Sequence, residues 1–513
     1  MIFRKALWKR GLRYAICQPD LPGKPDVVFQ SRRIAIFIDG DLWHGGQWRR
    51  RGKVALEDQF RKTASKRYWL EKIRRNIERD CRVTNLLLSS GWTVIRFWES
   101  DVLNRLDNCV ETTLKVFEKK AKATARSLLP QKSFAEFFAG IGLIRVGLES
   151  EGWIARFAND VNPDKERMYR GHFGKSSDLV VKDIGELSSN EVPSVTLATA
   201  SFPCNDLSIA GGRAGLNGGA SSAFWIFIKL LKDLRTRRPP LVLLENVTGF
   251  LSSNGGADFR DALLALSKLG YSIDAFILDA VDFVPHSRKR LFVVGVLESL
   301  IPHVREEPYT ECVESRIRPK RLIQFIRSHC NIRWNIRPLP DPPKLKTALP
   351  DLLEDLSSES SEWWSAKRAE YLLNQMSPQH RVMAEKMIAG RKWSYGTIFR
   401  RMRNGRSTAE LRVDGIAGCL RTPRGGSGRQ ILFKAGKGQY HVRLLTPRDT
   451  ARLMGADKFK ISVSRNHALF GFGDAVCVPV IEWIARYYLN PLVNELIRSS
   501  PLVPNVVEVG TTD

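Results

Sequence analysis

Short apolar runs bounded by turn residues recur along the first hundred positions. Val27, Val28 and Phe29 follow a turn built from Pro22, Gly23, Lys24, Pro25 and Asp26, and residues 34–38 form a second run ending in Asp39, Gly40, Asp41, Leu42, Trp43 and His44. The pattern predicts two strands of a hairpin. It then changes to helical spacing in Tyr68, Trp69, Leu70, Lys72, Ile73, Arg74, Arg75, Asn76, Arg79 and Asp80. Residues 86–88 and the strand 92–98, closing on Glu99, follow, and a charged helix is expected over 110–122. From Ser133 the alternation of strand and helix becomes regular. Strands are predicted from 133, at 154–158, 195–199, 241–244 and 291–296, and helices at 143–150 and 223–234. Strands separated by helices of this length define an α/β chain.

A domain boundary is expected within 119–130, where the charged helix gives way to the strand at Ser133. The resulting segments are 1–125, 132–300, 301–440, 441–492 and a tail 493–513. The stretch 301–356 is Pro-rich and irregular, 357–361 is a polar spacer, and no internal repeat or low-complexity tract interrupts the chain. The 513 residues carry 81 Lys and Arg against 54 Asp and Glu, a formal charge of +27. Residues 1–125 hold 27 of the basic and 14 of the acidic residues, a net +13 on a quarter of the length. Such a balance points to a polyanionic partner, above all nucleic acid. No run of about 18 uncharged apolar residues occurs, and the first ten residues have no signal-type apolar core. A soluble, cytoplasmic, nucleoid-associated protein with no membrane partner is expected. Eight cysteines with no Cys-x-x-Cys pair argue against a disulfide framework or a Cys-rich zinc site.

The candidate chemistry lies where strands end. Ala200, Ser201, Phe202, Pro203, Cys204 and Asn205 close the run 195–199, and the proline stops the strand so that Cys204 falls in the loop at its carboxyl end. A buried structural cysteine is the competing reading. Phe138, Ala139, Gly140, Ile141 and Gly142 form a glycine turn after the first strand of this half, suited to close approach of a ligand. Asp160 and Asp183 each follow a strand, as acids that hold ribose hydroxyls do. The strand 241–244 ends in Glu245, Asn246 and Val247, and Arg288 and Arg290 precede the strand 291–296 as fixed cations that would favour a thiolate. In the first half, Asp26, Asp39 and His44 can converge on one hairpin edge, the outline of a hard-cation site.

These blocks carry two resemblances. Residues 21–28, 36–44, 68–82 and 91–99 resemble the very-short-patch repair endonucleases, which implies a PD-(D/E)XK-type nuclease fold. By that resemblance Asp26 binds magnesium, His44 acts at the scissile phosphate beside Trp43, and Asp39 stands where the best-known members have a second histidine. Ile38 replaces a threonine that supplies a carbonyl ligand, and Asp26 with Asp39 forms the expected metal set. Asp41 and Trp48 occupy places of zinc-binding cysteines, and the family's acidic residue of the first helix is not included. The turn 138–142, Pro203 and Cys204, Glu245 to Val247, Arg288 to Arg290, 445–455 and 471–480 are similar, in order and spacing, to the cytosine-5 DNA methyltransferases. This second resemblance implies a Rossmann-like methyltransferase domain using S-adenosyl-L-methionine, with an inserted, largely irregular target-recognition domain.

By it, Cys204 attacks carbon 6 of a flipped cytosine and Glu245 engages ring nitrogen 3. Arg288 and Arg290 assist, and Phe138 to Gly142, Asp160, Asp183, Pro203 and Asp474 serve the cofactor. His286 replaces the usual glutamine and Asp474 the usual asparagine. The basic, aromatic stretch from Arg391 to Arg406 and the loop from Arg421 to Gln430 are suited to reading duplex DNA. The expected protein is a fusion that acts as a monomer on double-stranded DNA, in company with mismatch-repair or restriction-modification components. A restriction endonuclease, or an inactive DNA-binding module, are the alternatives for the first part.

Overall fold

The computed structural model describes residues 1–174, 178–203, 222–301, 313–403, 405–421 and 428–498. Cys204, Asn205, Arg424 and the loop glycines 425 and 426 lie outside the described residues. The chain divides into two compact units, Met1–Thr124 and Ala125–Ser500.

In the first unit, β1 (Val27–Phe29) pairs antiparallel with β2 (Ile34–Asp39), which pairs parallel with β3 (Thr93–Trp98). One sheet face packs Val27, Phe29, Ile34, Ile36, Ile95 and Phe97 against Phe3 and Leu7 of helix Ile2–Lys9 and Val110 and Val116 of helix Leu106–Leu128. The other buries Ala35 and Phe37 under Leu87. That contact explains a difference from expectation: residues 86–88 complete the helix Lys66–Ser89, because Leu87 is the side chain that seals this face. The antiparallel and parallel pairings bring the start of β1 and the ends of β2 and β3 to one sheet edge.

The second unit is built on a seven-stranded sheet of β4 (Ser133–Phe137), β5 (Ile154–Asp160), β6 (Leu179–Val181), β7 (Leu197–Ala200), β8 (Leu241–Val247), β9 (Tyr271–Asp279) and β10 (Lys289–Leu297). Its order is β6-β5-β4-β7-β8-β10-β9, parallel except for β10, which is antiparallel to both neighbours. The strands are apolar on both faces because helices cover both. Chain order reverses direction between β4 and β7, the switch point where open α/β sheets bind ligands. The turn 138–142 and Pro203 stand at the carboxyl ends of those two strands.

Two expectations for residues 301–440 are corrected. Residues 313–353 join the catalytic layer: Leu322, Ile323, Phe325 and Ile326 of helix Lys320–Ser328, with Trp334 and Ile336, lie in the same core as β9. Asn335 donates its amide to Ile273 O at 2.7 Å, extending the sheet edge. The later part is regular. β11 (Ser394–Arg403), β12 (Arg406–Arg412), β13 (Ile431–Gly436) and β14 (Gln439–Leu444) form an antiparallel sheet ordered β12-β11-β13-β14. Ile398, Ala409, Leu411, Phe433 and Val442 pack it against helices Ala366–Leu373 and Pro378–Ile388. Arginines at the outward positions obscure the period-two apolar pattern of these strands in the sequence.

The chain after β14 returns to the catalytic core through a buried ion pair, Arg443 with Asp449, 1% and 0% exposed. Asp449 also accepts from Thr446 N at 2.8 Å and Glu354 N at 2.7 Å. Asp449→Ala leaves a buried guanidinium uncompensated, and the expected cost is about 3–5 kcal/mol, read by denaturant unfolding. A loss under about 1 kcal/mol would show that Arg443 finds another partner. The apolar helical run Arg465–Arg498 is long enough to cross a bilayer, but 67% of its most apolar window is buried in the fold, as in a core helix.

Candidate active sites

The turn after β4 is shaped by backbone. Phe138, Gly140 and Gly142 have φ of 56°, 60° and 83°. A Cβ on Gly142 would stand 2.5 Å from the Phe173 ring, whereas one on Gly140 would meet nothing within 4 Å. Gly142 is thus required by packing, and Gly140 leaves open space on the ligand side. Asp160, at the end of β5, accepts from Gly140 N at 2.7 Å and Asn162 N at 2.8 Å, which ties the turn to the neighbouring strand. Ala139 and Ile141 are buried. The open cradle at Gly140, bordered by the carboxylate of Asp160, fits S-adenosylmethionine. Asp183 is exposed and accepts from Gly185 N at 2.7 Å. Asp474 ends helix Arg465–Asp474 and pairs with Lys165 at 2.9 Å. The charge that replaces the usual asparagine thereby gains a cation of its own. Its block approaches the turn through Gly471, where a Cβ would lie 2.8 Å from Ile141 Cγ2.

One further acid was missed by sequence reasoning. Glu136 in β4 is 1% exposed with Oε2 unpaired. Burial pushes its carboxyl up to about 8, a shift only partly offset by Arg145. The unfolded chain releases this proton near 4.5 and the folded one near 8, so the folded state holds more protons between those values. The contribution of Glu136 to stability is fully present below pH 4.5 and is lost as pH rises through 8. Glu136→Gln should therefore gain stability relative to the wild type between pH 6 and 9, as read by thermal unfolding across that range. A constant difference would show that Glu136 does not titrate there.

Glu245 is 7% exposed at the end of β8, where Arg290 Nε holds its Oε1 at 2.9 Å. The next residue, Asn246, donates Nδ2 to Phe202 O at 3.1 Å and so anchors the segment that leads through Pro203 to Cys204. One side chain thus joins the end of β8 to the segment that follows β7. Arg288, expected as a catalytic cation, has another task. It is 3% exposed and donates to Leu420 O at 2.8 Å, Gly473 O at 3.1 Å and Ala475 O at 2.6 Å. Its fork therefore ties the recognition region to the returning core by satisfying three carbonyls, two of them in fully buried hydrogen bonds. His286 joins it, accepting from Leu420 N at Nε2, 3.0 Å away. Cys419, also missed, sits 3.9 Å from Arg288 Nη1. Burial alone would raise its thiol, but Arg288, Arg290 and Arg421 outweigh that and hold it below the ordinary value. A second cysteine among arginines was the signal for it in the sequence.

At the nuclease edge, Asp26 Oδ2 accepts from Ile38 N at 2.8 Å, and Oδ1 lies 3.5 Å from Arg4 Nη2. Its side chain is 39% exposed. The structure groups Asp39, His44 and Asp80, with potential ligand atoms within 4.8 Å of one another, and leaves Asp26 outside that group. Asp80, on helix Lys66–Ser89, is the member that sequence reasoning missed. Arg96 grips both oxygens of Asp39 at 2.7 and 2.8 Å. A magnesium ion fits the half-open carboxylate of Asp26. Asp39 fits it less well, because Arg96 grips both of its oxygens whereas Arg4 only approaches one oxygen of Asp26 at 3.5 Å. His44 Nδ1 contacts Asp80 Oδ2, leaving Nε2 for chemistry. Trp43 beside it is exposed, 5.5 Å from the Trp69 ring, with Lys72 Nζ 4.8 Å above its face. The zinc place at Asp41 is filled by protein contacts: Asp41 accepts from Ser100 N and Oγ and pairs with Arg50 at 3.0 Å.

The second unit thus has a doubly wound sheet with a glycine turn at its switch point and a buried, arginine-paired carboxylate at the end of β8, and the first an acid-histidine edge on a mixed sheet. The C-5 cytosine-specific DNA methylase family model matches residues 132–490, and the DNA mismatch endonuclease Vsr model matches 1–50. The chain belongs to the C-5 cytosine-specific DNA methylases and carries a Vsr-like endonuclease region ahead of the methylase. The Type II methyltransferase M.DsaV of Dactylococcopsis salina is 29% identical over 363 residues, 70% of this chain and 86% of that one. M.NlaX of Neisseria lactamica, another Type II methyltransferase, is 27% identical, covering 68% and 94%. The Type II nicking enzyme V.NmeDIP of Neisseria meningitidis serogroup C is 38% identical over 116 residues, 23% of this chain and 74% of that one.

Proposed function

We propose that this chain methylates carbon 5 of a cytosine within one duplex sequence and nicks the thymine·guanine mismatches that deamination creates at those sites. The observation that carries the first half is the Glu245–Arg290 pair beside Asn246, whose amide holds Phe202 two residues before Cys204. Carbon 5 of cytosine is a weak nucleophile until a thiolate adds at carbon 6. Cys204 supplies the thiolate, and Glu245, oriented by Arg290, hydrogen-bonds ring nitrogen 3 and shares its proton as the ring becomes electron-rich. The base must leave the stack to reach them. S-adenosylmethionine supplies the electrophilic methyl group when bound at the turn 138–142. Glu245→Gln should lower turnover roughly 10²-fold or more with cofactor affinity nearly unchanged, measured by methyl transfer and by cofactor titration. Equal losses in both would remove Glu245 from the base side.

In the first unit we take a PD-(D/E)XK-type nuclease. Asp26 would hold a magnesium ion, which neutralises charge at a scissile phosphate. His44 Nε2 acts at that phosphate while Nδ1 stays on Asp80. The deciding assay is a labelled duplex carrying a thymine·guanine mismatch inside or outside the enzyme's own methylation sequence, with magnesium or chelator. Nicking confined to the mismatch supports repair. Cutting of matched unmethylated DNA means restriction, and no cutting means a DNA-binding module.

A further inference from the structure

Four side chains of the first unit close a network that the nuclease reading leaves partly unused. Asp39 ends β2, Arg96 lies in β3, Asp80 is on helix Lys66–Ser89 and His44 follows β2. Arg96 donates from Nε to Asp39 Oδ2 at 2.7 Å and from Nη2 to Asp39 Oδ1 at 2.8 Å, a planar two-point grip. The same Nη2 is 3.3 Å from Asp80 Oδ1, and Nη1 donates to Thr84 Oγ1 at 3.2 Å. The guanidinium carbon stands 4.7 Å from the centre of the Phe37 ring. Each edge and one face of the group are therefore engaged. His44 Nδ1 contacts Asp80 Oδ2 and lies 3.6 Å from Asp39 Oδ1.

The two carboxylates that face the imidazole are thus the two that Arg96 bridges. Unbridged, two carboxylates this close would repel, and one would turn away or take up a proton. Their side chains are only 10% and 17% exposed, so water screens them little. Burial by itself would lower the basicity of Arg96, but Asp39 and then Asp80 outweigh it and raise it. The grip also accounts for an aspartate where the resemblance places a second histidine.

We infer that Arg96 is a positioning residue of the nuclease unit: by bridging Asp39 and Asp80 it fixes the carboxylates that hold His44 Nδ1, and so aims Nε2 at the phosphate. The inference rests on the nuclease reading above. Lysine restores the charge but not the planar two-point grip, so it should substitute only in part. Partners that orient a metal-ligating imidazole typically matter by roughly 10–100-fold, and the same scale is expected for an imidazole aimed at a phosphate. The test uses the full chain, labelled with ¹⁵N-histidine, with His44 signals assigned by their loss in His44→Gln. In Arg96→Met the His44 ring-nitrogen signals should shift, and in Arg96→Lys they should shift less. On the mismatched duplex, Arg96→Met should lower kcat on the order of 10–100-fold with KM changed by less than about two-fold, and Arg96→Lys should regain part of the rate. Unshifted His44 signals in folded Arg96→Met, or an unchanged kcat, would overturn the inference. Should Arg96→Met not fold, Arg96→Lys and Arg96→Gln are read in the same way. If the wild type does not nick, the nuclease reading falls, while the ring signals still decide whether Arg96 positions His44.

Discussion

Cys204→Ala abolishes methyl transfer while duplex binding stays near the wild-type level. Cys204 is the one cysteine that follows a proline at the carboxyl end of a buried strand of the parallel sheet. No other group described near Glu245 replaces covalent activation of the ring. Cys419 is the nearest competitor, since its thiol is held below its ordinary value by three arginines. Its Sγ, however, donates to its neighbour's carbonyl, Leu420 O, at 3.5 Å. Binding survives the mutation because phosphate contacts from Lys and Arg supply most duplex affinity. The check is tritiated methyl transfer beside a band-shift titration at fixed salt. Residual transfer in Cys204→Ala that disappears in Cys204→Ala/Cys419→Ala would move the nucleophile to the second thiol.

His44→Ala lowers nicking of a thymine·guanine duplex by roughly 10²–10⁴-fold, the range for removal of an acid-base group, with methylation untouched. Each 5-methylcytosine that deaminates leaves a thymine opposite guanine within the enzyme's own recognition sequence. A nuclease in the same chain is delivered with the methyltransferase to the DNA where that lesion forms, which raises its local concentration if both parts can engage nearby DNA. Asp26→Ala should abolish nicking as well, whereas Cys204→Ala should nick normally. Single-turnover assays on mismatched duplexes, with the mismatch inside and outside the methylated sequence, separate these outcomes. Equal rates at both placements would leave the fusion without its rationale, and equal rates in His44→Ala would remove the histidine from the chemistry.

Much of both sites was legible because it is local. A strand, a turn and the residue just beyond form a continuous signal, and Phe138 to Gly142, Pro203 and Glu245 all have that form. The same holds for Asp26 and His44, each within a few residues of a short apolar run. The recognition region was less legible: arginines on the outward face of β11 and β12 hid a regular sheet, and an amphipathic helix at 320–328 hid in a Pro-rich stretch.

The sequence by itself determined an α/β methyltransferase with its motifs in order, a basic nuclease-like first part, and which residue types could act. Only the tertiary structure decided what those residues hold. Asp39 and Arg96 are 57 positions apart and meet because β2 and β3 pair in parallel. Arg288 reaches carbonyls 132 and 187 positions away and becomes a structural clasp. Asp474 is paired by Lys165 on another helix. The reason is physical: a charged side chain takes its role from the partner that compensates it in the folded state, and partners distant in sequence are brought together only by packing of the elements that carry them.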